Sequence, residues 1–251
     1  MIICKSLEIN DPIRTTDEWF SKCPPQGKEV QWKDGRSAKE TAKHWINGAP
    51  SEFLNLVKPL GVCIDVVYPE HVTHFDANGG NGRNHDLLII GKDKANKKVV
   101  ISVESKADEP FGKYISEYKK EIAKKIAGGI NTNAGKRINE LLPAIVLDKY
   151  SSQTDQIRYQ LLTAIAGTFA EAKEQNAETA IFIIQTFISK EINKDKHEQN
   201  QKDLNYFLNL ISDGKYSTIK DGDLLNIGKF PGNNSGLDKI ELYIGKIDIK
   251  I

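Results

Sequence analysis

Three residues in the first half of the chain have the types and spacing of a hydrolytic centre. In VVISVESKADEPFG (99–112), the β-formers Val99, Val100, Ile101, Ser102 and Val103 lead to Glu104, and Lys106 follows two places later. Strand alternation puts Glu104 and Lys106 on one face. If that face is core, two ionisable groups need partners or cost several kcal/mol each. They therefore form an ion pair or line a site. Upstream, Asp86 opens the strand HDLLIIG (85–91), and the polar turn KDKANK joins it to KVVISVESK (98–106). In an antiparallel hairpin the start of the first strand lies beside the end of the second, so Asp86, Glu104 and Lys106 converge at one end of a sheet. Two carboxylates suit a hard divalent ion, Mg²⁺ or Mn²⁺, that leaves its other positions to water and phosphate. An adjacent ammonium can position water and offset charge on a scissile phosphate. The set suits metal-assisted phosphodiester hydrolysis. A metal between Asp86 and Glu104 would favour that chemistry, and Lys106 closed onto Glu104 would favour a plain ion pair.

The elements that must position these groups are readable in outline. Residues 1–35 carry the loop signals DP, CPPQG and KDGR. Ser37, with Glu40 three places on, reads as a capping box opening the helix SAKETAKHWI. A short helix SEFLNLVKPL follows, then a strand VCIDVVYPE (62–70) stopped by Pro69 and a turn-rich loop HFDANGGNGRN (74–84). Beyond the hairpin, KYISEYKKEIAKKIAGG and AGKRINELLPAIV read as helices. TDQIRYQLLTAIAGTFAEAKEQNA is the clearest helix, with Ile157, Leu161, Ala164, Ile165, Thr168, Phe169 and Ala172 on one stripe. Thr154 or Asp155 is its expected cap. AIFIIQTF (180–187) reads as a strand covered on both faces, DLNYFLNLIS as a late helix and ELYIGKIDIKI as a terminal strand. The pattern predicts an α/β fold, a mixed β-sheet flanked by helices. No linker divides it, so one domain over 1–251 is expected.

Bulk composition narrows the function classes. Of 251 residues, 39% are hydrophobic and 27% charged, which suits a globular chain with a solvated surface. A net charge of +1 argues against a basic footprint over the whole chain and leaves room for a local basic groove. Cys4, Cys23 and Cys63 form no CxxC pair, so neither a zinc ribbon nor a disulfide framework is expected, and a reducing cytoplasm fits. No apolar run approaches a membrane span, and the first residues lack a signal-peptide pattern. The GxSxG, HExxH and GxxxxGK[ST] patterns are missing.

Asp86 followed by Glu104-Ser105-Lys106 behind a hairpin resembles the PD-(D/E)xK nuclease superfamily, which includes restriction endonucleases and repair nucleases. His85 stands where that name has proline. The blocks GRSAKETAKHW, YPEH, HDLLIIG, VESKADEPFG and RYQLLTAIAGTFAEA are similar to an uncharacterised bacterial nuclease-like family with GRSA, ExKxxEPFG and RYQLL blocks. This similarity runs roughly from residue 32 to 190, with the C-terminal helix and strand appended. The resemblance implies a restriction-endonuclease-like core. It implies Asp86 and Glu104 as metal ligands, the Ser105 backbone carbonyl as a third, Lys106 as the catalytic lysine and Mg²⁺ or Mn²⁺ as cofactor. Glu40 is the best match to an additional acid on the first core helix, in competition with its capping role. Glu70, His85 and Gln160 are accessory candidates.

Ordinary explanations stand beside these. His71 reads as a solvated strand exit, and Arg158 and Tyr159 as packing and ion-pairing groups. Glu109-Pro110-Phe111-Gly112 reads as a turn. The lysines around Tyr114 and Tyr118 form either a solvated face or a track for a phosphate backbone. The expected partner is nucleic acid, DNA first, with no membrane and a homodimer left open. The rival reading is a nuclease-fold module that binds nucleic acid or protein without turnover.

Overall fold

The computed structural model describes residues 1–7, 11–190, 194–229 and 239–251. Its centre is a seven-stranded sheet ordered β1-β2-β3-β4-β5-β7-β6. The strands are β1 (Ile2–Ile3), β2 (Cys63–Thr73), β3 (Arg83–Lys92), β4 (Lys98–Lys106), β5 (Thr179–Ile188), β6 (Leu224–Lys229) and β7 (Glu241–Lys250). β2, β3 and β4 run antiparallel in sequence, whereas β4, β5 and β7 run parallel. The chain is thus α/β with a mixed sheet flanked by helices.

Apolar residues on both faces of the central strands explain the two layers of helix. On one face Val99, Ile101, Val103, Ile181 and Ile183 pack with Trp19, Trp45, Phe53 and Leu56. These come from α1 (Thr16–Lys22), α2 (Ser37–Trp45) and α3 (Ser51–Val57). On the other face Val100, Phe182, Ile184 and Leu242 pack with Ile115, Ile138, Leu161, Ile165 and Phe207. Those helical residues belong to α4 (Ile115–Ala127), α5 (Ala134–Ile145), α6 (Tyr159–Glu174) and α7 (Lys194–Ile211). No helix among the described residues is long and apolar enough to cross a membrane.

Local chemistry explains where the elements depart from expectation. Residues 1–35 contain α1 rather than loop alone. Thr15 accepts the Glu18 N–H and Glu18 accepts the Arg14 N–H, a cap that anchors one buried tryptophan, Trp19. Ser37 is the first residue of α2, not its cap, and Arg36 occupies the cap position without a side-chain bond. Neither Thr154 nor Asp155 caps α6, which begins at Tyr159 with Arg158 before it. The chain ahead of it is held extended by pairing: Ile115 N–H donates to Ile157 O, and Tyr159 N–H donates to Lys113 O. Residues Asp148–Gln156 form a 3-10 helix, so the pairing breaks the helical pattern only at Ile157 and Arg158, while Ile157 still enters the core. The late helix starts well before Asp203, at Lys194, and β6 is an edge strand that the apolar pattern did not announce.

Candidate active site

The hairpin opens at the end that holds the acids. β3 and β4 pair from Lys92↔Lys98 to Leu87↔Val103, where their ladder stops. Beyond it β3 stays with β2, through His71↔His85 and Thr73↔Arg83. β4 stays with β5, through Glu104↔Ile184 and Lys106↔Thr186. The sheet forks there, and the Asp86 carboxylate occupies the gap: its Oδ2 accepts the Ser105 N–H at 2.6 Å, replacing a ladder bond. Glu70 sits across the same gap, between the pairs Pro69↔Leu87 and His71↔His85. Its φ of 50° is strained for a non-glycine strand residue, a cost of the kind that accumulates at functional sites. Gly91 holds the other end of β3 close to β2, because a Cβ there would meet Cys63 O at 2.4 Å.

The three carboxylates are not electrostatically equal. Glu104 is buried between two cations: Lys106 Nζ lies 2.7 Å from Oε1, and the Arg83 guanidinium grips Oε2. Burial pushes its carboxyl up, but Arg83 and Lys106 outweigh this and hold it below the usual range. Asp86 is pushed up to about 7, by burial first and then by the Glu104 charge. Glu70 is pushed up to about 8, by burial and then by Asp86, although the Asn84 amide donates to it at 2.6 Å. Lys106 Nζ also donates to Gln160 Oε1 at 3.2 Å, and Gly112 packs against the Gln160 side chain. Behind the site, Trp45 Nε1 donates to Gln185 Oε1 at 2.9 Å, and Gln185 Nε2 donates to Ser105 Oγ at 3.2 Å. This relay holds the Ser105 side chain on the opposite face of the strand from Glu104 and Lys106.

These groups open into a cleft of about 860 Å³, lined by Glu70, Asp86, Glu104, Lys106 and Gln160 among others. A hard divalent cation suits this donor set. Asp86 and Glu70 are carboxylates driven toward protonation by burial and mutual repulsion, and a cation beside them would reverse that drive. Among the described residues, no three His, Cys, Asp or Glu groups close into a ready-made metal cage. Such an ion would draw its remaining ligands from the Ser105 carbonyl, water and substrate, as Mg²⁺ commonly does.

The fold brings together Asp86, Glu104, Ser105, Lys106, Glu70 and Gln160, and separates the other two candidates. Glu40 does not line the cleft; its Oε1 accepts from Gly35 N–H at 2.8 Å and Lys43 Nζ at 3.0 Å. His85 packs instead against Gly167 in α6, where a Cβ would come within 2.8 Å of Nε2. Burial, with Arg83 and His71 nearby, pushes the His85 imidazole well down, so it is neutral. His71 pairs with Glu171 of α6 at 3.3 Å. Sequence reasoning missed Arg83 and Asn84, which lay in a stretch read as loop. The signal available was register, since extending β3 backward from Asp86 carries both onto the strand.

A family model described as "Domain of unknown function (DUF6946)" matches residues 12–251. No curated protein and no solved structure matches the chain.

Proposed function

The chain belongs to this family of unknown function, and we propose that it is a divalent-metal-dependent nuclease of PD-(D/E)xK type, with DNA as its first expected substrate. The observation that carries the reading is the fork between β3 and β4, where Asp86, Glu104 and Lys106 meet at one cleft with Glu70. Asp86, Glu104 and the Ser105 carbonyl would hold the ion, which when bound supplies Lewis-acid polarisation of the phosphate and an activated water. Lys106 is held at the site by Glu104 and Gln160 and cannot ligate a metal while protonated, so its part is with water or phosphate. Arg83 offsets the charge of buried Glu104. The test is incubation of plasmid, linear DNA and RNA with Mg²⁺ or Mn²⁺ and with chelator. Cleavage that requires the metal and disappears in Asp86→Asn is expected. A wild-type protein that cuts none of these substrates would sink the proposal.

One observation favours a second reading, a binding module without turnover. Lys106 and Arg83 both close on Glu104, which is the arrangement of a self-sufficient ion network. Under that reading Mn²⁺ leaves the melting temperature unchanged at every pH.

A further inference from the structure

The lining of the cleft also carries chemistry that phosphodiester hydrolysis does not use. Tyr118 of α4 and Tyr159 of α6 stack with ring centroids 4.5 Å apart and planes 19° apart, and both line the cleft. Arg137 of α5 lines the same cleft. It is fixed by Asp76, by Asn81 O at 3.0 Å and by Gly79 O at 2.9 Å, and lies 4.9 Å from the centre of the Phe75 ring. Tyr159 immediately precedes Gln160, whose carbonyl holds Lys106, so the stack stands one residue from the proposed reacting centre.

Packing alone accounts for the other tyrosine on this stretch. Tyr114 is capped by the Arg158 guanidinium at 3.7 Å and donates its hydroxyl to Asp203 at 3.0 Å. Tyr118 and Tyr159 pack in part against the core, and both also reach the cleft. Stacked rings and a fixed guanidinium lining one cleft are components of a single-strand platform: rings stack bases regardless of sequence, and a guanidinium suits a phosphate or a base edge. A base held in a duplex keeps both faces covered by its neighbours and cannot extend the tyrosine stack. An unpaired base can.

We propose that the Tyr118–Tyr159 stack, with Arg137 beside it, binds an unpaired base, so that the protein acts on single-stranded nucleic acid or on a nucleotide displaced from a duplex. This rests on the nucleic-acid reading of the cleft and narrows its substrate. The test is fluorescence anisotropy with chelator present, which separates binding from cleavage. The probes are a labelled oligothymidylate and a blunt duplex of equal length. Wild type is expected to bind the single strand at least tenfold more tightly than the duplex. Tyr118→Ala should lose about tenfold on the single strand, Tyr118→Phe should retain binding because the ring persists, and duplex binding should be unmoved in both. Equal affinity for the two probes overturns the proposal, as does a folded Tyr118→Ala that binds like wild type. Metal-dependent cleavage of duplex DNA unaffected by Tyr118→Ala would remove this inference and leave the nuclease reading standing. Ring-dependent single-strand binding without cleavage of any substrate would do the reverse.

Discussion

At the scale of single residues, the balance among Glu70, Asp86 and Glu104 sets the behaviour of the cleft. Asp86 and Glu70 titrate near 7 and 8 in the folded protein, whereas in the unfolded chain both return to the ordinary range near pH ~4. The folded state therefore holds more protons between those limits. The stability these groups contribute is complete below pH ~4 and is lost as pH rises through 7 to 8. Glu104 has the opposite sign: its depressed carboxyl contributes stability that is lost only in acid. We expect the melting temperature of the metal-free protein to fall between pH 5 and 8.5, with Asp86→Asn flattening the slope. Mg²⁺ or Mn²⁺ should raise the melting temperature more at pH 8 than at pH 5. Melting curves on wild type and Asp86→Asn decide this, and a pH-independent response to metal would contradict the electrostatic account. Lys106→Ala removes a cation from Glu104 without removing a carboxylate. Titration calorimetry should therefore show Mn²⁺ binding retained, while turnover drops by about 10²–10³-fold, the scale of losing one electrostatic group in a preorganised site.

At the scale of elements, the α6–β3 contact explains a glycine inside a helix. Alanine is favoured over glycine in a helix interior by roughly 1 kcal/mol. At Gly167, however, an added Cβ would sit 2.8 Å from His85 Nε2 and 3.0 Å from Arg83 Cβ. Overpacking should win, so Gly167→Ala is expected to destabilise by about 1–3 kcal/mol in denaturant unfolding. His85→Ala in the same background should recover part of that loss. The start of α6 is held as firmly. Arg158 Nε pairs with Asp203 of α7 at 2.6 Å, and Nη1 donates to Gly112 O at 2.6 Å. Both partners of the pair are buried, so Arg158→Ala strands the Asp203 charge and should cost about 3–5 kcal/mol. Because Gly112 also packs on Gln160, the same variant should loosen the Gln160–Lys106 bond.

At the scale of the whole molecule, the site is supported from both helical layers through the sheet. From the α2 side, Trp45 reaches Gln185 and thence Ser105; from the α6 side, Gln160 reaches Lys106. Trp45→Phe keeps most of the apolar volume but leaves the fully buried Gln185 carbonyl without its donor. Its expected cost is about 1–3 kcal/mol, above that of the volume change alone, and measurable by chemical denaturation. Gln185→Leu in the Trp45→Phe background removes the stranded group and should restore part of that stability.

The sequence by itself determined the α/β class, with a mixed sheet between helices, and the grouping of Asp86 with Glu104 at one end of a hairpin. Continuous apolar runs such as AIFIIQTF need cover on both faces, and the polar turn between β3 and β4 forces Asp86 and Glu104 to the same end of a hairpin. These are consequences of short-range periodicity. Only the tertiary structure decided that the hairpin forks at Leu87 and Val103, that Arg83 lies on the strand rather than in a loop, and that Arg83 and Lys106 both close on Glu104. It also decided that Glu40 turns to Gly35 and Lys43, and that α6 begins at Tyr159 because the preceding residues pair with the chain near Tyr114. Each of these depends on groups far apart in sequence competing for the same hydrogen bond or the same buried charge. Periodicity records which face of an element is apolar, but not which distant partner reaches a polar group first.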